Sequence, residues 1–401
     1  MHRRGLLLVS LLILGLVTIG PLGPSTTLLG HQPLDLPARL TDKEFWELSQ
    51  TMSEEDGAFQ SDNLLSNELV FPYIVPELIS RTKPGGVYLG VGPEQNFTYM
   101  AAIRPGIAII TDIRRGNLHM QLMYKALFEL SADRGEFVSR LFNKPRPVTV
   151  TTSSTVAELF DAFWEVPTAS EAAFNASVET IQRHLTKTHA IPLSQADLDG
   201  IARVYKTFWW YGPSMTYSAS VFLSGSGQGS GTNYRDLMVQ ANASGQFFSY
   251  LASEEKFAFL KDLERKNLVI PVVGNFSGPK ALRAVGAYLK SRQATVTAFY
   301  LSNVEQYLQR GGIWTEFCAN VATFPLDESS VFIRPSGLGG RGSFSVSARM
   351  VAVAGAGGNG VTFRPVAVPP TGSNFQPVGG PMGSGLVPIA EEVKRCTVPK
   401  H

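Results

Sequence analysis

Cysteine is scarce in this chain, with two residues among 401, Cys318 and Cys396. That count excludes a disulfide-rich scaffold and any multi-cysteine metal ribbon. Cys318 falls in a helical-looking apolar stretch, Trp314-Thr-Glu-Phe-Cys-Ala, and Cys396 in the tail, so both are expected to be free thiols. An excess of one charge sign is missing too. Thirty-five Lys and Arg against 33 Asp and Glu leave a net charge of +2, and no basic stripe interleaved with aromatics occurs, so nucleic acid is not expected as a partner. Beyond Gly30 no apolar run approaches the roughly 20 residues that a membrane helix needs. There is no Gly-x-Ser-x-Gly elbow, and the Gly-Ser loop 224–232 lacks the lysine of a phosphate-binding loop, so it reads as a mobile lid or plain linker. His119, His184 and His189, separated by 65 and five residues, match no zinc pattern, and no metal site is expected.

What is present begins with a targeting segment. His2, Arg3 and Arg4 precede an apolar run from Gly5 to Gly20, the pattern of a signal peptide or membrane anchor over residues 1–23. Export to a periplasmic or extracellular site, free or through a single-pass anchor, is the expectation. Residues 24–40 read as a linker. Thr41-Asp-Lys-Glu44 is a capping box that starts the first helix of the folded part, residues 41–334.

Within that part the most telling stretch is Val87-Tyr-Leu-Gly-Val-Gly-Pro-Glu-Gln-Asn96, followed by Ile107-Ala-Ile-Ile-Thr-Asp112. It predicts strand, glycine turn, helix, strand and terminal acid. Gly90 and Gly92 let the backbone turn and approach a ligand closely, and Pro93 suits the opening of a helix whose free N–H groups face that ligand. Asp112 lies 20 residues beyond Gly92, the place where a ribose is gripped in doubly wound α/β folds. A third glycine is absent, and Glu94 stands where a pyrophosphate would be repelled. A dinucleotide is therefore disfavoured, and a phosphate-free ligand such as an adenosine carrying a sulfonium fits better.

Further along, residues 116–130 carry a helical apolar period, Val148-Thr-Val-Thr-Thr a short strand, and residues 155–266 a helical insertion capping the sheet's carboxyl edge. Strands resume at Leu268–Val273 and Val296–Leu301. A Gly/Pro-rich tail, 335–401, reads as extended and partly disordered, with one added strand near 344–353. The fold class expected is α/β, a doubly wound, mostly parallel, Rossmann-like sheet with that insertion.

On these segments the chain resembles class I S-adenosylmethionine-dependent methyltransferases, and more closely a bacterial family sharing YLGVGPEQNFTY, DIRRGNL and FYLSNVEQYL, over roughly residues 40–335. It departs at Tyr88, where many such enzymes carry an acid. The resemblance implies a methyltransferase-type fold with S-adenosylmethionine as cofactor, Gly90 and Gly92 in the methionine-side turn and Asp112 on the ribose. Asn117 is placed beside the adenine, while the plainer reading of Asp112 is a strand-end acid paired with Arg114 or Arg115 at the surface. Asn275, in the loop after the third strand, and Asn303 are the candidate catalytic groups touching the substrate. Glu94 is expected to face the same crevice as a base or cation partner, with Tyr300 and Glu305 beside it. Ser302-Asn-Val-Glu305 also reads as a capping box. Trp209, Trp210 and Tyr211 are either a stacking platform or a core-and-rim pair. Export would separate the protein from a cytoplasmic cofactor, so a non-catalytic extracytoplasmic binding protein for another small molecule, using the same crevice, is the alternative.

Overall fold

The computed structural model describes residues 35–59, 61–66, 68, 71–217, 232–242, 244–334, 348–354, 361–367 and 385–397. The expected targeting segment, most of the linker and the Gly-Ser loop up to 231 lie outside the described residues. Eight strands are present among the described residues: β1 Val87–Gly90, β2 Ile107–Asp112, β3 Val269–Val273, β4 Val296–Tyr300, β5 Val331–Ile333, β6 Ala348–Ala354, β7 Val361–Ala367 and β8 Leu386–Pro388. Six form one sheet in the order β3-β2-β1-β4-β5-β8, parallel except for β8, which runs antiparallel on the edge with Val331 opposite Pro388.

The first four strands are buried on both faces, which is why β2 reads as an unbroken apolar run and not as an alternation. The order reverses at β1: the chain steps from β1 to β2 to β3 in one direction, then crosses back to β4 and β5. Right-handed crossovers put the two sets of connecting helices on opposite faces. Helices Gln95–Ile103 and Arg115–Leu130 accordingly pack with Glu254–Arg265. Ala281–Ser291 packs with Asp42–Met52 and Trp314–Val321. The architecture is α/β with a mostly parallel, Rossmann-like sheet.

Several helix starts follow from their sequence. Thr41 and Glu44 form the expected capping box, and Thr155 with Glu158 forms another. Folded structure begins earlier than Thr41, since the Leu40 N–H donates to the Lys266 carbonyl and Leu40 is buried.

Three expectations need correction. Residues 148–152 form turns and no strand. Pro145 and Pro147 withhold donors, Arg146 takes the Val150 carbonyl, and Val148 is exposed, so no ladder can form. The insertion contributes helices Val156–Trp164, Glu171–Arg183 and Gln195–Tyr211; the last packs along Arg115–Leu130, and its Asp197 meets Arg115 and His119 near the carboxyl end of β2. The tail supplies more than one strand: β6 and β7 form a separate antiparallel pair, β8 joins the main sheet, and helix Ile389–Thr397 follows. Cys318 is buried in its helix as expected, yet it is disulfide-bonded and not a free thiol. The helix that carries the chain's other cysteine packs against Trp314–Val321. Among the described residues no helix is long and apolar enough to cross a membrane.

Candidate functional site

A crevice opens where the loops after β1, β2, β3 and β4 meet, at the point of strand-order reversal where open α/β sheets take their ligands. It encloses about 200 Å³. That is below the roughly 300–1,000 Å³ of sites for drug-sized ligands, so it suits a nucleoside-sized group better than a dinucleotide. Gly92 and Pro93 line it from the first loop, Asp112 and Arg114 from the second, Asn275 and Phe276 from the third, and Tyr300, Ser302 and Asn303 from the fourth. Phe59, Tyr217 and Tyr307 complete the walls. The Phe59 and Tyr307 rings meet edge to face at 5.0 Å.

The first turn is held by side chains. Gly92 has φ +76°, a backbone state that glycine adopts without strain, and its carbonyl accepts from Asn117 Nδ2 at 2.8 Å, Gln121 Nε2 at 3.1 Å and Asn96 Nδ2 at 3.2 Å. The Asn96 amide also donates to the carbonyls of Val91 and Pro93, while its oxygen accepts from the Tyr88 hydroxyl. This explains Tyr88, whose hydroxyl is spent inside the wall. Gly90 is needed for space: a Cβ there would stand 1.9 Å from Asn96 Oδ1.

Asp112 reaches the crevice, but already engaged. Its Oδ1 accepts from the Arg114 backbone N–H at 2.9 Å and from Nε at 3.1 Å, and its Oδ2 from Nη2 at 3.0 Å. Arg114 in turn donates to the Ser61 and Asp62 carbonyls and sits 5.9 Å from the Phe59 ring centroid, so it ties the aromatic wall to the end of β2.

Of the residues expected to form the site, Gly92, Asp112, Asn275 and Asn303, with Tyr300, come together. Gly90, Asn117 and Glu94 stand behind the wall. Asn117 spends its amide on the Gly92 carbonyl and does not line the crevice. Glu94 corrects the expectation most sharply. It is fully buried, and both its oxygens accept from the Ser66 N–H, at 3.1 and 3.2 Å. Burial pushes its pKa up to about 8, against the pull of that N–H. It therefore holds its proton near neutral pH and supports the fold from within.

The box at Ser302 is not formed. Ser302 has φ +48° and its hydroxyl donates to Glu68 Oε1 at 2.6 Å, which moves the helix cap to Asn303. Glu305 pairs with Arg334 instead. Asn275 Oδ1 accepts from Ser277 N and Oγ, both at 3.0 Å, a turn that leaves its amide N–H groups for other partners. Trp209 is core, stacked on Phe174 at 4.6 Å and donating to the Ala169 carbonyl, while Trp210 lies on the surface; neither lines the crevice.

The sequence reading anticipated a pair between Asp112 and Arg114 or Arg115 at the surface, and missed that the pair is buried and lines the crevice. It also missed Phe59, Tyr217 and Tyr307, which carry no local signal.

Fold and crevice together define an α/β protein with a small-molecule-sized site at the sheet's switch point. The family model that matches is described as Domain of unknown function (DUF7790); it covers residues 63–196 and 227–349, more than half of the chain, and the chain belongs to that family. No curated protein matches the chain.

Proposed function

We propose that the crevice binds S-adenosylmethionine and that the protein is of methyltransferase type, passing the sulfonium methyl group to a small acceptor. The observation that carries this reading is the convergence, at the β1/β4 reversal point, of the tight Gly92 turn, Asp112 at the end of β2, and a wall of aromatic rings. Phe59, Tyr300 and Tyr307 line the crevice, and an aromatic lining suits a sulfonium. Glu94, withdrawn and protonated near neutral pH, no longer argues against any ligand on charge grounds.

When bound, the cofactor would supply an electrophilic methyl group to a lone pair of the acceptor and leave as a neutral thioether, so the acceptor would have a proton to lose. Asp112 is clamped by Arg114, so among the described lining residues no carboxylate is free to take that proton. The acceptor class that fits is a neutral amine, whose product gives its proton to water. Asn275 and Asn303 would orient it.

Calorimetry on the purified protein tests the reading. Heat of binding is expected with S-adenosylmethionine and with S-adenosylhomocysteine, and Asp112→Asn should weaken both by about 1–3 kcal/mol, the value of a hydrogen bond to a charged, partly buried acceptor. No heat with either from folded protein removes it.

The disulfide at Cys318 favours a second reading, because disulfides persist in oxidising compartments where that cofactor is not made. In that case the same crevice serves a non-catalytic, exported or anchored binding protein. A fused reporter enzyme that works only outside the cytoplasm separates the two: activity favours the second reading, silence the first.

A further inference from the structure

We propose that Glu129, His184 and His189 hold a divalent transition-metal ion of the Zn²⁺ class, at the sheet edge opposite the crevice. Their candidate donor atoms all lie within 4.8 Å of one another. Glu129 Oε2 is 2.8 Å from His184 Nε2 and 2.6 Å from His189 Nε2. Donors around a tetrahedral zinc ion, each about 2.0–2.1 Å from the metal, stand about 3.3 Å apart, so the two carboxylate–imidazole separations would each open by roughly half an ångström to admit the ion.

Two independent features make this more than a chance meeting of polar groups. The first is backbone. Residues His184–Thr188 form a single π-helical turn, closed by the His189 N–H donating to the His184 carbonyl at 3.2 Å. In an α-helix, residues five apart project about 140° from one another, on different faces. The wider π turn brings them onto one face, and such turns concentrate at functional sites. A five-residue spacing that matches no zinc pattern thus becomes a ligand pair.

The second feature is the support behind the ligands. His189 Nδ1 lies 2.6 Å from Asp42 Oδ1, which also accepts from Asn267 Nδ2 at 2.9 Å. A carboxylate on Nδ1 fixes the proton there and turns the Nε2 lone pair toward the other donors, the usual backing of a metal-bound imidazole. The charge balance also suits a cation. Lys125 is engaged by Glu129 Oε1 and the Glu264 carbonyl, which leaves Oε2 free for the ion and, with Asp42, one net negative charge around neutral imidazoles. The three ligand side chains are only 7–14% exposed, enough for a water in a remaining position.

The cluster joins the start of helix Asp42–Met52, the end of Arg115–Leu130 and the insertion. Its role is that of a structural staple, independent of what the crevice binds.

The test takes the full chain, strips it with a chelator and adds Zn²⁺ or Co²⁺. One ion per chain should bind, with Co²⁺ giving visible d–d bands. Melting should rise by about 5 °C at a free concentration of about 100 times Kd. His184→Gln and His189→Gln should each abolish or weaken binding at least tenfold, and Asp42→Asn, which keeps all three donors, by about 10–100-fold. X-ray absorption at zinc on the unaltered chain reads the donor set even if a variant fails to fold; two imidazoles with oxygen donors are expected. Natively folded, stripped protein that binds neither ion at about millimolar concentration overturns the site. So does binding unchanged in the folded variants, or a donor shell without imidazole.

Discussion

The two edges of the main sheet gather carboxylates in opposite ways. At the carboxyl edge, Asp112 is matched to the Arg114 guanidinium, and the remaining lining is amide, hydroxyl and aromatic. At the amino edge, Glu129 is shared by two imidazoles and a lysine, and a second acid, Asp42, stands behind one of the imidazoles. A guanidinium stays charged at any pH the fold survives, so the first edge is electrostatically closed and leaves ligand choice to shape and to π faces. An imidazole does not. The second edge therefore answers to protons and, by the same lone pairs, to metal ions. Burial pushes the Glu129 carboxyl upward, but hydrogen bonds to His184 and His189 overcome this and hold it well below the usual range. Burial likewise works against charge on His189, and its bonds to Glu129 and Asp42 overcome it and raise its pKa.

That contrast breaks most forcefully at Arg114. Arg114→Ala strands Asp112 as an unpaired buried charge and releases the segment carrying Phe59, and it should cost about 3–5 kcal/mol in urea unfolding. A loss under 1 kcal/mol would mean that the pair is solvated and the crevice edge is not closed.

The buried acid behind the crevice supplies the next effect. Glu94 has a folded pKa raised to about 8 from 4.5, so the folded state binds the extra proton between those values, and the stability it contributes is present at low pH and lost as pH rises toward 8. The slope is at most about 1.4 kcal/mol per pH unit. Glu264, raised by burial to about 8 as well, adds a fall of the same sign. Glu94→Gln, which mimics the protonated acid, should match the unaltered protein near pH 5 and exceed it near pH 8. Parallel curves for the two proteins would put Glu94 in solvent. The histidine edge adds its own signature. The Glu129 contribution is lost as pH falls below the usual carboxylate range, and the His189 contribution as pH rises past its raised pKa.

The smallest effect sharpens the geometry of the turn. Gly90→Ala drives a methyl group toward Asn96 and should cost about 1–3 kcal/mol by overpacking, read as a lowered melting temperature. Gly90→Ala together with Asn96→Ala should recover part of it, since the clash has then lost its partner. No recovery would place the strain elsewhere.

Much of the fold was legible because its signals are local. The apolar runs at 87–90, 107–112, 269–273 and 296–300 lie at their predicted places, and the strand ends that collect Gly92, Asp112, Asn275 and Asn303 follow from the parallel order itself. What escaped the reading depends on partners distant in sequence. Glu94 turns inward because the Ser66 N–H, 28 residues earlier, receives it. Ser302 abandons its capping role because Glu68, 234 residues earlier, takes its hydroxyl. Strand β8 is three residues long, too short for any period to reveal, and owes its place to pairing with β5. The histidine pair was hidden by the assumption of α-helical spacing, which a single π turn violates.

We propose that the crevice at the strand-order reversal, and not some other surface, takes an adenosine-type ligand, and a crystal structure of the protein with S-adenosylhomocysteine tests this most directly. Density is expected between the Gly92 turn and Asn303, with a ribose oxygen within hydrogen-bond reach of Asp112 and the sulfur facing the aromatic wall. Density elsewhere, or an unchanged crevice at millimolar ligand, would contradict it.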